Sequence, residues 1–224
     1  MNKKCVKLSE LMSCDTPYLK ELFDGAEYPW QLLGLIKDTA KKLCENMPEG
    51  FRKLSDDVIV GRDTVIYDSA VIEGPAVIGE KCIVRPGAFI RGAVITGTGC
   101  VIGNSTELKN CILLNGVQVP HYNYVGDSIL GNLSHMGAGA VCSNLKADKS
   151  NIVVRGDVTY ETGLKKFGAV LGDRADIGCG CVLNPGTIVG RNTSVYPLTS
   201  VRGVVAENSI MKGADTVADR EDRG

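Results

Sequence analysis

The sequence predicts an all-β domain, a parallel β-helix wound as a triangular prism, preceded by a short helical segment. Three observations predict it. Aliphatic residues recur every six positions at Val60, Ile66, Ile72, Ile78, Val84 and Ile90, then, past an interruption at Thr96, at Ile102, Leu108 and Leu114; the run resumes from Leu171 through Ile177, Leu183, Val189, Val195 and Val201. Two residues before these stand small or β-branched residues, among them Ala76, Cys82, Ala88, Cys100, Cys181 and Thr187. Aromatics make up only 5% of the chain while glycine reaches 27 residues, which suits a narrow interior filled by Val, Ile, Leu, Ala and Cys. A six-residue period fits neither the 3.6 of a helix nor the plain alternation of a strand. It fits a short strand and a tight turn, repeated, with three such units closing a coil that pairs in parallel with the next. An ordinary β-sandwich would not hold this register over so many units.

Along the chain, residues 1–57 are different in kind. Thr16-Pro17 opens a short helix through Phe23, with proline at the first helical position. Pro29 opens a second stretch in which Leu32, Leu33, Ile36, Ala40 and Leu43 keep helical spacing beside Trp30. This N-terminal helical cap is expected to cover the open end of the prism, because a bare end coil templates edge-to-edge association, or to serve in assembly. Residues 58–205 form the β-helix. Its period breaks between Leu114 and Leu171: Leu130 follows Leu114 by sixteen residues, with Pro120 between, before Leu130-Gly131 and Met136-Gly137 resume the pattern. Residues 143–168 are polar, aperiodic and carry Leu-Lys-Lys, so they read as a loop expelled from the prism, the usual seat of function on a rigid scaffold. Residues 206–224 read as a loosely held polar tail.

Charge nearly cancels, 25 Lys+Arg against 26 Asp+Glu, which removes a bulk electrostatic case for nucleic acid or an anionic membrane. No run reaches the roughly 18 apolar residues of a membrane span, and the start lacks a secretory signal, so a soluble, cytoplasmic protein is expected. The nine cysteines include no Cys-x-x-Cys and read as small interior hydrophobes rather than disulfides or metal ligands.

The two histidines, His121 and His135, both lie where the repeat is irregular. His121 stands near Glu107, Lys109, Tyr124 and Asn144, a setting that favours chemistry over a structural histidine. Lys109 neighbours inward Leu108 and is expected on the solvent side, where its removal leaves the fold's stability unchanged.

At these residues a family resemblance emerges. STELKN (105–110), PHYNYVGDS (120–128), MGAGAVCSNL (136–145) and KKFGAVLGD (165–173) resemble the C-terminal acetyltransferase domain of bifunctional N-acetylglucosamine-1-phosphate uridyltransferases and related sugar-phosphate nucleotidylyltransferases. The likeness covers about residues 58 to 205. It implies a left-handed parallel β-helix of hexapeptide repeats, a homotrimer, and acetyl transfer from acetyl-CoA to the amine of an amino-sugar 1-phosphate, with no metal. By the same likeness His121 is the general base, since an imidazole near pKa 6.5 can accept the amine proton, and Asn144 lies by the transferred acetyl group. Lys109 and Arg91, with Arg85 as the fallback, hold the phosphate through charge-assisted bonds; Tyr124, His135 and the loop lysine Lys149 contact the sugar. His135 stands where the family has an asparagine. Cys179 and Pro197 flank the thioester or pantetheine arm, and backbone amides of the Gly137–Gly139 turn hold the oxyanion. Residues 1–57 carry no Gly-rich triphosphate loop, so nucleotidyltransferase activity is not expected. Two histidines fall short of the three per zinc site in γ-type carbonic anhydrases, which share the fold. The rival reading is a non-catalytic β-helix subunit that binds sugar phosphate or sugar nucleotide, or partners a separate nucleotidyltransferase chain.

Overall fold

Short strands and tight corners wind the chain into a three-sided prism, a left-handed β-helix, in a computed structural model that describes residues 3–213 and 216–219. The first face stacks strands from Val58–Gly61 to Val204–Val205, the second from Val65–Ile66 to Ser209–Gly213, and the third from Val71–Glu73 to Ser200–Val201. Within each face neighbouring coils pair in parallel. Antiparallel partners close the ends: Phe51–Ser55 lies on Val58–Gly61, and Thr216–Asp219 lies on Ser209–Gly213. The tail expected to be loose is therefore ordered through Ser209–Gly213, with Met211 buried, and again at Thr216–Asp219; residues 214, 215 and 220–224 of that expectation lie outside the described residues.

Inside the prism, Val60, Ile78, Val84, Ile90, Ile102 and Leu108 stack with their small companions and no aromatic ring. Thr96 does not interrupt this column. It is fully buried, and its hydroxyl accepts a hydrogen bond from Gly79 N at 2.9 Å. The expected break after Leu114 is smaller than the spacing implies. Strands Glu107–Leu113 and Tyr124–Leu130 each run round the corner from the third face to the first, and each drops one residue there, at Asn110 (φ 47°) and Asp127 (φ 48°). Leu113, paired with Leu130, points inward instead of Leu114, which packs outside against the helical segment. The coils from Leu130 to Cys142 stay in register, and the extra residues leave the prism at that same corner as the expelled loop.

The helical segment does not sit over an open end. Ile59, Val77, Ile95, Ile112, Ile129, Val170, Ile188 and Val204 form an apolar column on the outside of the first face, and Leu8, Leu11, Leu19, Phe23, Trp30, Leu32 and Ile36 cover it. At roughly 25 cal/mol per Å² of apolar area, each such fully buried aliphatic side chain contributes about 1.5–3 kcal/mol. The segment is a series of short helices: Leu8–Leu11, Pro17–Leu19, Lys20–Asp24, Pro29–Gln31 and Ile36–Glu45. The strap reaches the loop too: Trp30 stacks on Tyr28 at 4.7 Å and lies 5.8 Å from the Tyr160 ring and 6.3 Å from that of Phe167.

Candidate functional site

The corner where Asn110 and Asp127 shorten the coils is also where the sequence motifs converge. The Asp127 side chain is only 6% exposed, yet it is a carboxylate, and burial of a lone charge is costly unless it is bonded. Its oxygens accept from Lys109 Nζ at 3.1 Å and 3.4 Å and from Asn110 Nδ2 at 2.9 Å, and Asn144 Nδ2 donates to it as well. Its backbone carbonyl accepts from Gly168 N at 2.8 Å, so one residue ties both the start and the finish of the expelled loop to the prism. Asn144 also donates to the Tyr124 hydroxyl at 3.2 Å. Burial, then the nearby charges of Asp127 and Glu107, push the Tyr124 phenol above its ordinary pKa and keep its proton in place at neutral pH.

Beside this cluster lies a cleft of about 300 Å³ lined by Lys37, Pro75, Arg91, Lys109, Asn110 and Asp127. Arg91 reaches it from the strand Phe89–Arg91 and donates from Nε to Glu107 at 2.8 Å. Lys37 comes from the helix Ile36–Glu45, so the strap supplies a cation here. The structure thus gathers Arg91, Lys109, Tyr124 and Asn144 in one place. Lys109 is not a plain solvent-side lysine: its side chain is 24% exposed and it neutralises a buried carboxylate, which corrects the expectation that the fold gains nothing from it.

His121 lies round the other corner. It ends the strand Gln118–His121 on the second face, exposed, three residues before Tyr124, with Tyr122 (φ 52°) making the turn between them. The hydrogen bonds Gly139 N to His121 O, Gly180 N to Ala138 O and Leu198 N to Cys179 O stack His121, Ala138, Cys179 and Pro197 in one outward column. His135 stands on the same face in the next coil and its Nδ1 is 2.8 Å from Asp176 Oδ1. Lys149 is exposed on the loop and does not join the Lys109 cluster, and Arg85 sits at the end of the second face, away from the cleft that Arg91 lines. The Gly137 and Gly139 amides, expected to hold an oxyanion, already donate to Ile177 O and His121 O in coil-to-coil bonds.

Asp127, Asn110, Glu107 and Lys37 were not assigned from the sequence. The signal for Asp127 was its place in Gly126-Asp127-Ser128, an acidic residue at a position the repeat gives to a corner. Among the described residues no group of three His, Cys, Asp or Glu is placed to hold a metal ion, and no helix is long and apolar enough to cross a membrane.

Residues 72–165 match the family described as the GMPPB C-terminal domain. The chain is 37% identical over 93 residues to the bifunctional protein GlmU of Methanococcus vannielii, which covers 42% of this chain and 22% of that protein. It is 35% identical over 142 residues to the putative uncharacterized acetyltransferase YaiX of Escherichia coli, 63% of this chain and 62% of the relative. Among solved structures, the UDP-N-acetylglucosamine acyltransferase of Campylobacter jejuni aligns with a TM-score of 0.50 at 14% identity, over 73% of this chain and 71% of the other, a likeness of fold. The chain therefore spans about a fifth of the length of the first of these relatives.

Proposed function

We propose that this chain transfers an acetyl group from acetyl-CoA to the amine of an amino-sugar 1-phosphate. The observation that carries the reading is the convergence of Lys37, Arg91 and Lys109 on one cleft beside Tyr124 and Asn144, one corner away from His121 at the foot of the Ala138–Cys179–Pro197 column. The relative whose name includes acetyltransferase, YaiX of Escherichia coli, supports it. In this reading the cations take the sugar phosphate, and the protonated Tyr124 hydroxyl and the Asn144 amide hold the sugar and the acetyl group. The amine nitrogen attacks the thioester carbonyl carbon while the His121 imidazole takes the amine proton. Collapse of the tetrahedral adduct breaks the carbon–sulfur bond, and the thiolate of CoA leaves and takes that proton from His121. With Gly137 and Gly139 N–H already committed, the Ala138 amide between them is the donor in that turn left without a backbone acceptor among the described residues, and so the one for the oxyanion. His135 acts on sugar choice and Lys149 joins the substrate only if the loop moves. The active unit in this reading is a cytoplasmic homotrimer, with the column of one copy facing its neighbour.

The test is thiol release from acetyl-CoA against a panel of amino-sugar phosphates and their unphosphorylated counterparts. Release confined to phosphorylated amino sugars supports the reading, and no release with any acceptor defeats it. One observation favours the second reading, a non-catalytic subunit that binds sugar phosphate or sugar nucleotide: the matched family segment, 72–165, takes in the Lys109 cluster but stops short of Cys179 and Pro197. Saturable binding of the sugar phosphate with no thiol release would establish it.

A further inference from the structure

Beyond the expelled loop lies a second cleft, of about 510 Å³. Its walls are the loop's outgoing limb at 143–148, the loop strand Val153–Arg155, and the corners of the next two coils at 184–186 and 202–203. Two glycines let these parts close on each other. Gly186 (φ 79°) faces the hairpin so closely that a Cβ would lie 2.7 Å from Ile152 Cγ2, and at Gly203 (φ 76°) a Cβ would lie 3.3 Å from the Arg155 carbonyl oxygen. A side chain at Gly186 would press on Ile152, and one at Gly203 would crowd the Arg155 carbonyl; both would also be strained by the positive φ. The contact fixes Arg155 next to Arg202.

Both arginines are exposed to the cleft, and among the described residues neither guanidinium has a hydrogen-bond or ion-pair partner. Asp148, the carboxylate in the lining, is already engaged by Ser150 through its N–H at 3.0 Å and its hydroxyl at 2.8 Å. Lys146 adds a third positive charge while its Nζ is held by Asn151 O at 2.6 Å and Ser150 Oγ at 3.3 Å. Juxtaposed like charges oppose each other unless an anion lies between them. Planar guanidinium forks match phosphate oxygens two by two, and a volume of this size is that of a small-molecule site.

We propose that this cleft binds the pyrophosphate of a nucleotide ester, with Arg155 and Arg202 clamping the phosphates and Lys146 raising the local potential. CoA and a nucleoside-diphosphate sugar both carry that group. The site is assigned by binding, so it stands or falls separately from the acetyl-transfer reading.

The experiment is calorimetric titration of the full chain with CoA, UDP-glucose and inorganic pyrophosphate, on the parent protein and on the Arg155→Gln/Arg202→Gln double variant. Equal melting temperatures confirm that both are folded. CoA or UDP-glucose is expected to bind with a Kd below about 1 mM, and the double variant to weaken it by roughly 10-fold to 150-fold, the loss of charge-assisted bonds. The tighter of the two probes names the source: CoA the acyl donor, UDP-glucose a sugar nucleotide. Arg91→Gln, at the first cleft, should leave this affinity within about twofold, because no cation is removed from the second cleft. The proposal is overturned if neither nucleotide binds, if pyrophosphate alone binds as tightly as both, or if the double variant binds like the parent. Loss of binding in Arg91→Gln equal to that in the double variant overturns it as well.

Discussion

Asp127 and Lys109 stabilise each other as partners rather than as individuals. Removing the lysine strands a carboxylate that is almost fully enclosed, so Lys109→Ala should cost about 1–3 kcal/mol of stability. Adding Asp127→Asn should recover part of that loss, since no charge is then left unpaired, and urea unfolding of the two single variants and the double variant reads the coupling. Full additivity would mean that the pair contributes nothing. Under the proposed function the bond also constrains substrate binding: two carboxylate contacts occupy much of the ammonium, so Arg91, joined by Lys37 from outside the sequence motif, would carry the larger share of phosphate recognition. His121 makes a separate prediction. If it takes the amine proton, His121→Ala should lower kcat by roughly 10²–10⁴ with acetyl-CoA binding retained, whereas His135→Ala, whose ring is tied to Asp176, should act on KM for the sugar. Equal and mild effects of the two changes in steady-state kinetics would remove His121 from the reaction.

At the scale of elements, the loop is held by aromatic contact as well as by Asp127. Trp30 touches Tyr160 and Phe167, so Trp30→Ala should cost about 3–5 kcal/mol, the usual range for emptying an aromatic site. Because the prism core contains no aromatic ring, the damage should be local: limited proteolysis should cut first within 143–168 while the coils persist. Cleavage spread evenly along the chain would contradict that. These elements also show what the sequence could and could not reveal. The inward column was legible because a six-residue spacing with small companions has one physical interpretation. The dropped residue at Asn110 was not, because Cys-Ile-Leu-Leu offers two adjacent leucines and only the corner geometry chooses Leu113. Helical spacing in the first fifty residues showed an apolar stripe but not the surface it meets. That surface, Ile59 to Val204, is itself spaced by whole coils and read in sequence as ordinary strand residues. His121, Lys109, Tyr124 and Asn144 were legible as a motif. The buried acid joining two of them was not, since nothing in a sequence says that a corner carboxylate is enclosed.

For the whole molecule, covering of the first face leaves the second and third for contact between copies, and they meet at a corner where Leu198 is 84% exposed and Tyr122 62%. A homotrimer in which that corner points to the axis is the assembly that the proposed function needs. Light scattering should give three times the chain mass, and Leu198→Asp should give the monomer with its fold intact; a parent protein that is already monomeric at micromolar concentration would exclude this arrangement. The covered face also bears on how the chain reaches its final shape. The strap is synthesised before every coil it lies on, yet its resting place extends to Val204. Coils can close one upon another as they emerge, each using contacts a few tens of residues away, but the strap's contacts span most of the chain and are entropically late. During that interval the outer column from Ile59 onward stands open to water as a long apolar strip, and the molecule is then most prone to stick to another copy of itself. What is made early is therefore secured last, and the yield of folded protein depends on how quickly those first helices find a surface that does not yet exist when they leave the ribosome.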